Sequence, residues 1–135
     1  MADENLMKVK IITPDRIFYE GEASFVEMVT SEGEVGIYKN HIPMTMILVP
    51  GIISITEADG MKYAALHAGF VEILQNSIIV MAEVAEWPEE IDLQRAEEAK
   101  IRAERRLGDS DENINTRRAE LALRRSLARI ELTKR

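Results

Sequence analysis

The last third of the chain, residues 86–135, reads EWPEEIDLQRAEEAKIRAERRLGDSDENINTRRAELALRRSLARIELTKR and is built unlike the sequence before it. It contains one glycine, Gly108, and one proline, Pro88, and it holds 12 of the 17 basic residues. Up to Val84, by contrast, short apolar runs alternate with glycines and other turn residues. This contrast predicts a compact β domain that carries a charged helical pair, an arrangement suited to docking and releasing the pair.

The same stretch carries the start and stop signals of two helices. Asp92 is a good N-cap candidate in front of the run that begins at Leu93, and Gly108–Asp111 is a break, after which Asn113 or Asn115 can cap a second helix. Small residues recur at three- and four-residue spacing on both helices, namely Ala96, Ala99 and Ala103, and then Ala119, Ala122 and Ser126. We therefore expect an antiparallel hairpin with a thin apolar interface, whose contacts exchange at little cost in free energy.

Before this hairpin, nine or so short apolar segments are separated by turn residues. Alternation of apolar and polar residues is clearest in Phe25–Thr30, and the tripeptides at 58–60 and 75–77 lie where tight hairpins are expected. Strands at this spacing predict an antiparallel sandwich or a flattened barrel. No long helical pattern interrupts them, which argues against a parallel sheet with crossover helices.

The net charge of −7 is unevenly distributed along the chain. Residues 1–85 carry −7, residues 86–113 carry −5 and residues 114–135 carry +5. The two oppositely charged segments are suited to pairing as antiparallel helices, or the basic one to meeting an acidic partner; a solvated helix face is the third interpretation. A short basic stretch without aromatic residues, in an acidic protein, argues against nucleic-acid binding.

Composition also bears on the compartment. There is no cysteine, hence no disulfide framework and no cysteine-based metal site. The first five residues are acidic and polar, unlike a secretory signal, and no apolar run approaches the ~20 residues of a membrane span. We expect a soluble cytoplasmic protein that does not insert into the membrane.

Catalysis finds little support in the residues. There are only two histidines, His41 and His67, and neither a Gly-x-Ser-x-Gly motif nor a histidine pair with metal-ligand spacing is present. His67 lies in a strand pattern and is expected to be a packed or surface residue, whereas His41 lies in a loop, where functional residues concentrate. We predict a non-enzymatic protein with no requirement for a metal.

The arginines have two interpretations. Arg95 and Arg102 share a face of the first predicted helix, and Arg118, Arg125 and Arg129 share a face of the second. If these faces converge, their guanidinium groups can bind phosphates through bidentate hydrogen bonds. The alternative, which spacing alone favours, is a set of ordinary surface ion pairs. Their acidic partners would be Glu97, Glu98, Glu104 and Glu120.

Several short motifs together resemble the epsilon subunit of bacterial F-type ATP synthase, called the delta subunit in mitochondria. They are Ile12-Thr13-Pro14-Asp15, Ser31-Glu32-Gly33-Glu34-Val35-Gly36-Ile37-Tyr38, His41-Ile42-Pro43, Pro50-Gly51 and Ala68-Gly69-Phe70-Val71-Glu72. Their order and spacing match the family, as does the helix end from Ile130 to Lys134. The resemblance covers nearly the whole chain.

This resemblance implies an antiparallel ten-stranded β-sandwich over residues 1–86, followed by a mobile, regulatory two-helix hairpin over residues 87–135. It implies a place on the central rotor, between the gamma subunit and the c-ring, with Glu34 as a candidate c-ring contact and His41 as a candidate gamma contact. An extended hairpin would reach the catalytic beta subunits, and alpha, and block hydrolysis. A folded hairpin would lie on the sandwich and leave the motor free.

The stretch Ile91-Asp92-Leu93-Gln94-Arg95-Ala96 resembles the motif of family members that bind ATP as a regulatory ligand. By this resemblance the nucleotide contacts are Glu86, Ile91, Asp92, Arg95, Ala96, Arg102, Arg125 and Arg129. The neighbouring Trp87-Pro88 is not part of the motif. Since only a folded hairpin would bring both sets of arginines together, ATP would favour that state.

Three functional hypotheses follow. The first is a non-catalytic rotor subunit of a proton- or sodium-driven ATP synthase, peripheral on the cytoplasmic face of the bacterial membrane as part of F1, with an ATP-sensing hairpin. The second keeps the rotor role but makes inhibition independent of ATP. The third is a free-standing β-sandwich binding module whose helices dimerise.

Overall fold

The computed structural model describes residues 5–109 and 115–135. Within these residues, segments of alternating apolar and polar residues form eight strands, and two alanine-rich segments form two helices. The strands are β1 (Met7–Thr13), β2 (Arg16–Ala23), β3 (Phe25–Thr30), β4 (Gly33–Tyr38), β5 (Met44–Leu48), β6 (Gly51–Glu57), β7 (Gly60–Ile73) and β8 (Ser77–Glu86). A short 3₁₀ turn at Pro88–Glu90 leads to helices α1 (Leu93–Gly108) and α2 (Thr116–Thr133). A β-sandwich followed by a helical hairpin is thus confirmed.

The long strand β7 organises the sheet. Its first half pairs with β6 and its second half with β5, while β8 runs along most of its other edge. The strand order is β2-β1-β8-β7-β5-β3-β4, and β6 also pairs with β3. Ala68 and Gly69 in the middle of β7 have positive φ angles of 58° and 130°. A side chain at Gly69 would collide with the carbonyl oxygen of Met81 on β8, so glycine is required at this point.

Two details of the predicted sandwich are wrong. The described residues form eight strands rather than ten, partly because the chain continues through Ala68 and Gly69 as one strand instead of turning there. The sheet is also not entirely antiparallel, since β1 and β8 pair in parallel from Lys8 opposite Ser77 to Ile12 opposite Met81. The first and last strands are joined by no hairpin, so no turn constrains them to run in opposite directions.

A bulge in β2 connects the sandwich core to the start of the hairpin. The register with β1 shifts between Ile11 and Ile12, which leaves Phe18 as an extra residue in β2. As a result two successive side chains, Phe18 and Tyr19, are both buried, although alternate residues of a regular strand point to opposite faces. The bulge therefore supplies two adjacent aromatic rings to one site.

The hairpin is folded down on the sandwich. Both predicted N-caps are present, because the side chains of Asp92 and Asn115 accept hydrogen bonds from the backbone N–H groups of Arg95 and Arg118. Asn113, the other candidate cap, lies outside the described residues. The residues buried on the two helices are Ala96, Ala103, Ala119, Ser126, Ala128, Ile130 and Leu132. The C-terminal part of α2 thus packs on β6 and β7, and α1 packs on α2.

Candidate functional site

A pocket of about 330 Å³ opens where the end of β8, the start of α1 and the last turns of α2 meet. This volume lies within the range of small-molecule sites. Its lining residues are Glu86, Glu90, Ile91, Asp92, Arg95, Ala96, Ala99, Arg102 and Arg129. Arg129 on α2 lines the pocket together with residues of β8 and α1, so the folded-down position of α2 contributes one side of it.

Seven of the eight residues that the sequence assigned to a nucleotide line this pocket. The eighth, Arg125, is half-buried on α2 one helical turn before Arg129 and is not among the lining residues. Glu90 and Ala99 line the pocket but were not predicted. Ala99 lies one helical turn after Ala96 in the small-residue stripe, so the helical spacing contained a signal for it. Nothing in the sequence indicates a role for Glu90.

The wall contributed by α1 begins at its N-cap. The Asp92 side chain accepts from the Arg95 N–H at 3.2 Å, and the Asp92 carbonyl accepts from the Ala96 N–H at 3.0 Å. This cap fixes the first turn and sets the direction in which Arg95 and, two turns later, Arg102 leave the helix. Both arginines are exposed. The local sequence therefore builds a rigid wall that presents two guanidinium groups.

The predicted surface ion pairs do not form. In the part of the chain that the structure describes, Arg95, Arg102 and Arg125 pair with no carboxylate. The acidic partners expected from spacing, namely Glu97, Glu98, Glu104 and Glu120, are exposed on the helices. The guanidinium groups of Arg95 and Arg102, which line the pocket, thus remain available to a ligand.

Glu86, at the end of β8, joins three elements through one carboxylate oxygen. Its Oε1 accepts from Nε2 of His67 on β7 at 2.8 Å and from Nε of Arg129 on α2 at 2.7 Å. Burial would raise the pKa of Glu86, but the hydrogen bonds and charges of His67 and Arg129 outweigh burial and hold this pKa below its ordinary value. Glu86 is therefore ionised at neutral pH, and it ties α2 to the sandwich.

The turn between the sandwich and α1 is held against β2. The Trp87 ring stacks on Phe18 with centroids 4.2 Å apart and meets Tyr19 edge-on at 6.2 Å. Arg16 donates to both carboxylate oxygens of Glu90 at 2.9 Å, and Glu90 Oε1 also accepts from the Trp87 N–H at 2.9 Å. These contacts fix the chain as far as Glu90. A pivot for the hairpin would therefore lie after this residue rather than at the aromatic cluster.

The two predicted partner contacts lie away from the pocket. Glu34 is exposed on β4, next to a second groove between β3, β6 and the outer face of α2. His41 is half-buried in the loop between β4 and β5, and its Nδ1 donates to the Ile42 carbonyl at 2.7 Å. Beyond that loop, exposed apolar side chains form a row across three strands, since Ile47 pairs with Phe70 and Phe70 with Met81.

No helix among the described residues is long and apolar enough to cross a membrane.

Two family models match the chain in succession. The model of the ATP synthase delta/epsilon chain β-sandwich domain covers residues 6–88, and that of the delta/epsilon chain long α-helix domain covers residues 89–134. The chain is 43% identical over 126 residues to an ATP synthase epsilon chain of Clostridium novyi, covering 93% of this chain and 95% of the relative. It is 40% identical over 127 residues to that of Halalkalibacterium halodurans, covering 93% and 96%.

A solved structure shares the fold. It is a chain from the mitochondrial ATP synthase of Euglena gracilis, determined by cryo-electron microscopy as the OSCP/F1/c-ring part in rotational state 1. The two chains superpose with a TM-score of 0.81 at 21% identity, over 91% of this chain and 78% of the other. At this identity the likeness concerns the fold alone.

Proposed function

The chain belongs to the ATP synthase delta/epsilon chain family, and from this premise we propose that it links the gamma subunit to the c-ring and senses ATP through its C-terminal hairpin. As an epsilon chain it is a non-catalytic subunit of ATP synthase. Its place would be the central stalk of F1, peripheral on the cytoplasmic face of the bacterial membrane. The two domains, residues 1–86 and 87–135, would attach to the rotor and regulate it, respectively.

One observation carries the ATP proposal. Arg95 and Arg102 from α1 and Arg129 from α2 line a single pocket, so guanidinium groups from both helices meet only when the hairpin is closed. Planar guanidinium groups are suited to bidentate hydrogen bonds with phosphate oxygens. A ligand shifts a conformational equilibrium only through its different affinity for the two states. Bound ATP would therefore favour the folded-down hairpin.

The carboxylates of the pocket are compatible with an anionic ligand because their charges are already engaged. Glu90 pairs with Arg16, and Glu86 accepts from His67 and Arg129. Asp92 accepts from the helix backbone. Arg95 and Arg102 pair with no carboxylate in the described parts of the chain. Against the single charge of Asp92, these two arginines leave the pocket with an excess of positive charge.

When ATP is scarce, α2 would leave the sandwich and inhibit hydrolysis. Its segment from residue 114 to 135 carries +5, which suits contact with acidic surfaces of the catalytic beta subunits and of alpha. Few large side chains hold it down, since only Ile130 and Leu132 of α2 are both large and buried. Extension would therefore cost little apolar burial.

The rotor contacts would come from the sandwich. The exposed row of Ile47, Phe70 and Met81 is the kind of apolar surface that marks a protein interface. Its first member, Ile47, lies on β5, the strand that follows the loop containing His41, the proposed gamma contact. Glu34 on the edge strand β4 is the proposed c-ring contact. Stable co-purification with gamma would support this placement, and its absence would favour a free-standing binding module.

Calorimetric titration with ATP tests the proposal. We expect the isolated protein to bind ATP, and Arg102→Ala to weaken binding by at least about 10-fold, as for loss of a charge-assisted hydrogen bond. Arg105→Ala is the matched control, because Arg105 is an exposed arginine on α1 that does not line the pocket. Equal affinities of the two variants would disprove this site.

If deleting the residues after Ala85 activated hydrolysis equally at low and high ATP, inhibition would be independent of ATP.

A further inference from the structure

His67 is a buried histidine on the face of β7 that the hairpin covers. Its side chain is 2% exposed. Its neighbour Leu66 belongs to the sandwich core, but His67 does not, because alternate residues of a strand point to opposite faces. α2 packs on β7, and its Arg129 bonds to the same Glu86 oxygen as His67, so the side chain of His67 lies on the face toward α2. His67 is therefore buried by the folded-down hairpin rather than by the sandwich core.

The hydrogen bond between His67 and Glu86 requires a proton on Nε2 of His67. Its Nε2 lies 2.8 Å from Oε1 of the Glu86 carboxylate, which accepts, so Nε2 is the donor. Its Nδ1 is buried and has no hydrogen-bond partner among residues 5–109 and 115–135. A buried polar atom without a hydrogen-bond partner costs free energy, so Nδ1 lowers the stability that His67 would otherwise contribute by packing. The bond from Nε2 to Glu86 is therefore the polar contact of this buried side chain within the described residues.

That bond decides where the Glu86 carboxylate lies. Glu86 lines the pocket together with Arg95 and Arg102. Held by His67, its Oε1 points to Arg129 and accepts from Nε at 2.7 Å. Released from His67, the carboxylate would be free to turn toward the arginines of α1, where it would compete with a phosphate group for the same guanidinium hydrogens.

We propose that His67 is a positioning residue that fixes Glu86 against Arg129, and thereby both latches α2 to the sandwich and keeps the pocket open for a phosphate-bearing ligand. The second effect rests on the ATP binding proposed above. The first does not, since the contacts from β7 through β8 to α2 are made by side chains of the protein alone.

The test compares three variants in two measurements. His67→Leu removes the donor at similar size, His67→Gln keeps an amide donor near the position of Nε2, and His41→Leu is the control at the other histidine. The first measurement is hydrogen exchange of the α2 amides without nucleotide. The second is the ATP affinity by calorimetry.

We expect His67→Leu to speed exchange in α2 by about 10-fold without affecting the amides of β3 and β4, and to weaken ATP binding by a similar factor. His67→Gln should restore both quantities toward wild type, and His41→Leu should change neither. A purely structural role would predict no rescue by glutamine. If the leucine variant does not fold, His67→Asn replaces it, because its amide ends near Nδ1 and cannot reach Glu86.

The outcomes separate the two proposals. Unchanged α2 exchange in His67→Leu overturns the latch, whether or not ATP binds. A wild-type protein that does not bind ATP, combined with faster α2 exchange in His67→Leu, overturns the ATP proposal and supports the latch. Equal loss in His67→Leu and His67→Gln contradicts the positioning role.

Discussion

Replacing Glu86 by glutamine would remove one negative charge from the contact that joins β7, β8 and α2, while keeping its shape. The glutamine carbonyl can still accept from His67 and Arg129, which donate to the same oxygen in the structure. The variant therefore measures the contribution of the charge rather than of packing. It also leaves the pocket lining sterically unchanged.

The expected cost follows from the two hydrogen bonds. For the bond from His67, the acceptor changes from a charged group, about 1.5–3 kcal/mol, to a neutral one, about 0.5–1.5 kcal/mol, which costs about 1 kcal/mol. The bond from Arg129 keeps a charged donor but loses its ion-pair attraction, about 0.2–1 kcal/mol for a partly exposed pair. Glu86 is 20% exposed and Arg129 is 28% exposed, so solvent screens part of this difference. We expect Glu86→Gln to lower the free energy of unfolding by about 1–2 kcal/mol at pH 7.

The cost should depend on pH in a defined direction. Because the folded-state pKa of Glu86 lies below that of an unfolded glutamate, about 4.3, its ionised form stabilises the fold fully above that pH. This contribution disappears as the pH falls through the folded-state pKa. The difference between wild type and Glu86→Gln should therefore shrink as the pH falls below about 4.3.

Urea unfolding followed by circular dichroism measures this difference at each pH. Glu131→Gln is the matched control, because Glu131 is 62% exposed and pairs with Arg135 only on the surface of α2. We expect its effect to stay within about 0.5 kcal/mol. A Glu86→Gln protein as stable as wild type at pH 7, or a difference that persists unchanged at pH 3.5, would show that the charge of Glu86 does not stabilise the fold.

Three further predictions concern the aromatic cluster before α1, the N-cap of α1 and the bend in β7. Trp87→Ala should lower the free energy of unfolding by about 2–3 kcal/mol in thermal denaturation, because a half-buried ring loses its stacked partner on β2, whereas Trp87→Phe should cost less. Asp92→Ala should cost about 1 kcal/mol and speed hydrogen exchange in the first turn of α1, and Asp92→Asn should retain the cap. Gly69→Ala should lower the free energy of unfolding by more than about 4 kcal/mol or prevent folding, because its Cβ would collide with the backbone of β8. In the same urea titration, Gly108→Ala, at an open helix position, should be neutral or stabilising. Equal effects of the two substitutions would contradict the proposed collision.

Local features of the fold could be read from the sequence, whereas pairings between distant segments could not. The caps at Asp92 and Asn115 were predictable because a capping side chain acts on its own helix. The continuity of β7 was not, because Gly69 resembles a turn residue and its bend is set by the contact with β8. The parallel pairing of β1 with β8 depends on the topology of the whole chain. Alternation of apolar and polar residues along one strand does not indicate which strand pairs with it or in which direction.

The candidate site shows the same division. The face of α1 that carries Arg95 and Arg102 follows from helical spacing. The absence of Arg125 from the lining and the presence of Glu90 do not, because they depend on how α2 lies on the sandwich and on the contact between Arg16 and Glu90. His67 was expected to be packed or at the surface, and it is packed. Its hydrogen bond to Glu86 joins β7 to the neighbouring strand β8, and the sequence around either residue does not indicate this contact.

The central claim is that ATP holds the hairpin on the sandwich. Because the chain has no cysteine, spin labels attach only to cysteines that are introduced. Two exposed positions are suitable, Glu72 on β7 and Glu120 on α2. The distance distribution between the labels is then measured by pulsed electron paramagnetic resonance, with and without ATP. We expect ATP to increase the population at the distance of the folded-down structure, and Arg102→Ala to abolish this increase. A distribution that does not respond to millimolar ATP would contradict it.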